Sequence, residues 1–180
     1  MSQPASPTNL GFLTVLHETN GYLGGYLVTN IWGRPLEFRV TTAVQPNRIQ
    51  QILYAGTLES YLHAELIGKT LVDKTGIPVQ LIVTDRQPVL ELRWKVEVPV
   101  VWLPPRDDPR SAALVAQGAQ VWAAENGHGP LVCHPRFTGD RPAIQELLGR
   151  LDGALDLGEP FVRIREAISE ARKMGVTSKA

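Results

Sequence analysis

Gly11-Phe-Leu-Thr-Val-Leu-His-Glu18 is followed, across Thr19-Asn20-Gly21, by Tyr22-Leu-Gly-Gly-Tyr-Leu-Val-Thr29 and, beyond Gly33-Arg34-Pro35, by Leu36-Glu-Phe-Arg-Val-Thr41. β-Branched and aromatic residues dominate these runs, as suits a pleated, half-buried surface. Asn20-Gly21 tolerates the positive φ of a tight hairpin turn, and the segment around Trp32-Gly33-Arg34-Pro35 makes the second connection. The stretch predicts a three-stranded antiparallel meander.

Beyond it the period changes. From Asn47 to Asp73, Ile49, Ile52, Leu53, Leu58, Leu62, Leu66 and Ile67 recur at steps of mostly three to five, an apolar helical stripe. Gly56-Thr57 divides it into a short and a longer helix, with Thr57 as N-cap, and Thr75-Gly76 with Pro78 ends it. Val79-Gln-Leu-Ile-Val-Thr84 is nearly continuous in its hydrophobicity, the mark of a strand covered on both faces, and it ends on an acid, Asp85. Residues 88–103 leave two readings open, two strands or a short helix and one strand: Val89 to Val98 alternates as a strand does, and Pro99-Val-Val-Trp-Leu103 is a further short strand candidate.

Ser111 to Ala124 reads as helix, bounded by Pro109 and Asn126-Gly127. Leu131 to His134 reads as a short strand. Pro142 to Leu151 and Pro160 to Lys173 read as amphipathic helices, each opened by proline. The expected organisation is a disordered polar tail over 1–9, an α/β core over 10–126, and a mostly helical C-terminal extension over 127–175 packed on that core.

The 180 residues, 43% of them apolar, suit one compact domain. Eighteen basic residues balance eighteen acidic ones, so no global field attracts nucleic acid or an anionic membrane. Cys133 is the only cysteine, which excludes an intramolecular disulfide and a thiolate cluster within one chain. With no signal-peptide pattern at the start and no apolar run near the roughly 20 residues of a membrane helix, the expected setting is cytoplasmic.

Strand, strand, strand, helix, strand, then a later strand and helix, over residues 10 to 124, resembles the ribonuclease H-like fold. The resemblance implies a mixed sheet with helices packed on it. In that family the first strand, first helix, fourth strand and a late helix each contribute an acid, and together the acids hold two divalent metals for phosphodiester cleavage. By position, Glu18 lies near the end of the first strand, Asp85 ends the fourth, and Asp107 and Asp108 precede the Ser111 helix. The metal set so implied is Glu18, Asp85 and Asp108, with Mg²⁺ or Mn²⁺. The first helix departs from the pattern: Gln50 and Gln51 stand where a glutamate belongs, and Glu59 substitutes only if the helix begins at Thr57. An amide offers a dipole where a carboxylate offers charge.

Other motifs are sparse. His17, His63, His128 and His134 lack zinc-ligand spacing, and Cys133 reads as an inert buried residue. Gly21-Tyr-Leu-Gly-Gly25 precedes a strand rather than a helix, so Gly24-Gly25 mark a bulge or a close backbone approach instead of a phosphate loop. Gly68-Lys69-Thr70 lacks the upstream glycine of a nucleotide-binding loop. Arg34, Arg39 and Arg48 with Tyr22, Tyr26 and Trp32 offer a basic and aromatic surface suited to stacked bases. Trp94 and Trp102 read as core or interface anchors.

Two function classes follow. The first is an accessory or protein-interaction module without catalysis or cofactor, meeting a protein partner or a second copy; Phe161, Ile164 and Ile168 then pack on the core or the partner. The alternative is a divalent-metal-dependent nuclease using Glu18, Asp85 and Asp107 or Asp108. Nucleic-acid binding through the meander, without cleavage, is a third reading.

Overall fold

A computed structural model describes residues 6–124, 127–151, 153 and 155–175. The meander forms as the sequence implies. β1 (Asn9–Glu18) pairs antiparallel with β2 (Gly21–Asn30), and β2 with β3 (Pro35–Val40). In the first turn, Thr19-Asn20-Gly21, only Gly21 has positive φ (121°), and a Cβ there would lie 2.4 Å from the Val44 carbonyl oxygen. Glycine is needed at that position for two reasons at once.

The chain returns through helices to β4 (Leu81–Thr84), which lies parallel to β1, as a crossover connection allows. β5 (Val100–Trp102) adds in parallel and β6 (Val132–Cys133) antiparallel, giving the sheet order β3-β2-β1-β4-β5-β6. The architecture is thus α/β: a mixed six-stranded sheet opened by an antiparallel meander, with helices packed on it and helices at its C-terminal end. Asn9, expected in the tail, is buried in β1; residues 1–5 lie outside the described residues.

The crossover begins with α1 (Arg48–Tyr54), capped reciprocally by Asn47 and Gln50. A 3-10 turn, Ala55–Thr57, leads to three contiguous helical pieces, Leu58–Ser60, Tyr61–Lys69 and Thr70–Lys74, called α2 together. The middle piece is π-helical, and its wide turn needs Gly68, where a Cβ would lie 2.8 Å from the His63 carbonyl oxygen. Thr57 makes no capping bond; its hydroxyl donates to the Tyr54 carbonyl instead.

The open alternative over 88–103 resolves as a short helix and one strand, and one further expectation is corrected. Residues Gln87–Trp94 form a 3-10 helix rather than a strand, because Pro88 near its start presets a helical φ and removes a ladder donor. The helix expected from Ser111 to Ala124 is α3 (Pro109–Ala116), ending before Gly118, whose φ of 78° turns the chain so that Gln120 bridges to Val132. Of the two tryptophans expected as core or interface anchors, Trp102 is fully buried in the core and Trp94 is exposed.

α4 (Arg141–Gly149) and α5 (Glu159–Lys173) complete the chain. The two adjacent glycines of β2 explain the layering. A Cβ on Gly24 would lie 2.1 Å from Ile67 of α2, and one on Gly25 would lie 2.5 Å from Ile164 of α5. Two helices therefore press on opposite faces of β2, the close approach foreseen for this pair. The β2 irregularity lies elsewhere, between Val28 and Thr29. Phe161 meets Phe12 edge-on at 5.7 Å and joins Ile164 and Ile168 in the main core.

Candidate functional site at the end of β4

The parallel strands β1 and β4 end side by side, with Leu13 opposite Thr84. One residue further, Thr14 stands beside Asp85. Thr14 pairs with Gly25 across β1 and β2, so it faces α5, as Glu18 does at the same two-residue period. The Thr14 hydroxyl is buried and has no hydrogen-bond partner.

Arginines come to the acids here. Arg165 of α5 donates to Asp85 Oδ2 at 2.8 Å, and Arg86 Nε lies 3.7 Å from Asp85 Oδ1. The Thr84 hydroxyl accepts from the Arg86 amide at 3.0 Å, fixing the turn off β4. Seven residues beyond Arg165, on the same flank of α5, Arg172 pairs with Glu18. The helix that covers this face supplies a guanidinium to each acid.

The remaining expected acids are employed differently. Asp108 is the N-cap of α3, accepting from the Arg110 amide at 2.9 Å and from its guanidinium, which holds the carboxyl below the usual carboxylate range. Asp107 sits in the turn before it with φ 62°, a left-handed conformation that aspartate tolerates. Gln50 caps α1 and Glu59 lies on the first piece of α2.

Glu18 and Asp85 stand at separate places along the sheet face that α5 covers. Glu18 lies four residues past Thr14 along β1, about 13 Å at about 3.3 Å per residue. Among the described residues no three His, Cys, Asp or Glu side chains group to hold a metal. The strand position beside Asp85 carries a hydroxyl in place of a carboxylate.

Around Asp85 opens a cleft of about 390 Å³, bordered by Arg86, Arg106, Arg165, His128, Leu103 and Pro105. Arg106 has no ion pair or side-chain hydrogen bond among the described residues. On the opposite sheet face His63 of α2 is buried against Tyr22, which stacks on His17. Burial, with Arg86 and His17 nearby, pushes the His63 imidazole down to about 4, so it stays neutral.

The basic and aromatic surface expected on the meander does not assemble. Tyr26 is buried over Gly11, and its phenol is pushed up by burial and by Glu37. Arg39 pairs with Glu37, leaving Trp32 exposed without a buried frame. Cys133 is buried and its thiol is pushed up by desolvation, the inert state. No helix among the described residues is long and apolar enough to cross a membrane.

Arg86, Arg106, Arg165 and Arg172 escaped the sequence reading. Two local signals pointed to them: basic and acidic residues adjoin at Asp85-Arg86 and Arg106-Asp107, and Arg165 and Arg172 recur two turns apart beside an apolar stripe.

No protein-family model matches the chain, and no curated protein does. Among solved structures, a variant of Ciona intestinalis endonuclease V bound to a 23mer DNA containing an inosine followed by a ribo-adenosine is similar to 78% of this chain. It is matched over 76% of its own length, at 8% identity and a TM-score of 0.44. The same enzyme bound to a 24mer of that kind gives 9% identity, 78% and 77% coverage, and a TM-score of 0.45. Neither likeness carries an argument about the chemistry of this chain.

Proposed function

We propose that the chain is an accessory binding module on a ribonuclease H-like α/β core, working through protein contacts and without cleaving phosphodiesters. The observation that carries this reading is the state of Asp85. Its Oδ2 accepts from Arg165 at 2.8 Å, and its Oδ1, buried without a hydrogen-bond partner, lies 3.7 Å from Arg86 Nε, while Thr14 stands at the neighbouring strand position. A cation brought about 4 Å from a guanidinium meets a repulsion of about 4 kcal/mol per unit charge at an effective dielectric of about 20. The acid is electrostatically spoken for.

The exposed helix α1 supports a role in contact. None of its residues is buried, and Ile49, Ile52 and Leu53 are 68, 60 and 76% exposed. Covering one such side chain is worth about 1.5–3 kcal/mol, so a partner gains from meeting all three. If the occupant is a second copy, sedimentation of wild type shows a dimer that Ile52→Asp converts to monomer.

The test of the non-cleaving role is direct. Labelled DNA and RNA, single- and double-stranded, are incubated with the purified chain and Mg²⁺ or Mn²⁺. The expected result is no metal-dependent cleavage. Cleavage by wild type that disappears in Asp85→Asn would overturn the reading in favour of a nuclease.

A further inference from the structure

We propose that the cleft beside Asp85 binds the phosphate of a small phosphomonoester of nucleotide size, with arginines standing where a nuclease places metal ions. The inference rests on the reading above to the extent that Asp85 is guanidinium-bound rather than metal-bound.

Three guanidiniums, of Arg86, Arg106 and Arg165, border the cleft against the single carboxylate of Asp85. Two positive charges are therefore in excess locally, although the whole chain carries none. Arg165 is committed to Asp85 through one nitrogen, at 2.8 Å, which leaves its other donors for a ligand. Arg106 is committed to nothing among the described residues.

Arg86 sits deeper. Its Nε and Asp85 Oδ1 are both buried without a hydrogen-bond partner and face each other at 3.7 Å, a loose ion pair that places positive charge beside the cleft. A cation entering the same space would face three like charges.

The size and walls narrow the ligand class. About 390 Å³ lies within the range of small-molecule sites. Leu103, Pro105 and Phe161 contribute apolar lining to the same cleft, a surface for the ring-bearing body of the ligand. Gly158, at the start of the fifteen-residue α5, borders the cleft, so the positive end of that helix adds to the same field.

The test is calorimetric titration of the full chain in EDTA with a nucleoside 5′-monophosphate, inorganic phosphate and a single-stranded oligonucleotide as separate arms. The expected order is nucleotide tighter than inorganic phosphate, with affinity falling as salt rises. Arg106→Ala is expected to weaken the nucleotide roughly 10–100-fold, the loss of one charge-assisted contact. Arg136→Ala, outside the cleft, serves as the control and leaves affinity unchanged.

No binding of the nucleotide at millimolar concentration overturns the proposal, as does wild-type affinity in Arg106→Ala. Equal affinity for inorganic phosphate removes the apolar lining from the site, and binding of the oligonucleotide alone contradicts the small-ligand class. Because EDTA is present throughout, metal-dependent cleavage in the separate assay would defeat the non-catalytic reading without deciding this one.

Discussion

α1 and α5 both carry an apolar stripe, and only one of them buries it. Ile49, Ile52 and Leu53 of α1 face solvent, while Phe161, Ile164 and Ile168 of α5 are each about 1% exposed. The difference lies in the receiving surface. Gly25 of β2 leaves room for Ile164 and Ile168, and Phe12 offers an edge to Phe161. No residue of α1 is buried. A helical stripe records that a helix has an apolar face; the element opposite decides whether that face is core or contact surface.

The largest effect expected from this contrast is at Phe161. Phe161→Ala is expected to lose about 3–5 kcal/mol in urea unfolding, from transfer and cavity terms together. A loss below about 1 kcal/mol would mean that α5 is not seated on the sheet.

A comparable effect comes from pH, through the helix on the opposite face. His63 takes up a proton near 6.5 when unfolded and at about 4 when folded. Its folded value is depressed, so the unfolded chain binds the extra proton first. The stabilisation is full above about pH 6.5, falls as pH drops through the window, and levels off below about 4. Its total is about 3 kcal/mol as an order of magnitude. Unfolding followed from pH 7 to 4 in wild type and His63→Gln checks it, because the variant loses this slope and keeps that of the carboxylates.

Glycine substitutions probe the receiving surface itself. Gly25→Ala places a methyl 2.5 Å from Ile164 and is expected to cost about 1–3 kcal/mol by overpacking. Gly56→Ala, in the linker after α1 where nothing lies within 4 Å, is expected to be neutral or to stabilise by less than about 1 kcal/mol. Equal costs at the two sites would dissolve the contrast between a packed and an open face. The smallest effect belongs to Leu53→Ala, expected within about 0.5 kcal/mol of wild type in the same unfolding experiment.

The fold was legible wherever a local pattern had one physical meaning. The β-rich runs around Asn20-Gly21 allowed only a hairpin, and the continuous Leu81-Ile-Val-Thr84 allowed only a covered strand. It was illegible where two patterns competed. Val89 to Val98 alternates like a strand, but Pro88 presets a helical turn that wins. The Ala-rich run after Ser111 favours helix, yet Gly118 and the bridge from Gln120 to Val132 take its second half.

The site was legible only in its first member. Asp85 was found because a strand ended on it, whereas its partner Arg165 lies eighty residues away and reaches it through tertiary packing. Sequence position placed Glu18 near the metal-binding edge; the register places Thr14 there, since a strand advances about 3.3 Å per residue and four residues separate the two. The acids of a metal site are defined by convergence, and convergence is not a property of spacing along the chain.

The central claim is that guanidiniums, rather than metal ions, neutralise Asp85. Thermal unfolding of wild type and Asp85→Asn with and without millimolar Mn²⁺ tests it most directly, since a ligand at 100 times its Kd stabilises the native state by about 2.7 kcal/mol. The account predicts no Mn²⁺-dependent rise in Tm for either protein. A rise in wild type that is absent from Asp85→Asn would contradict it.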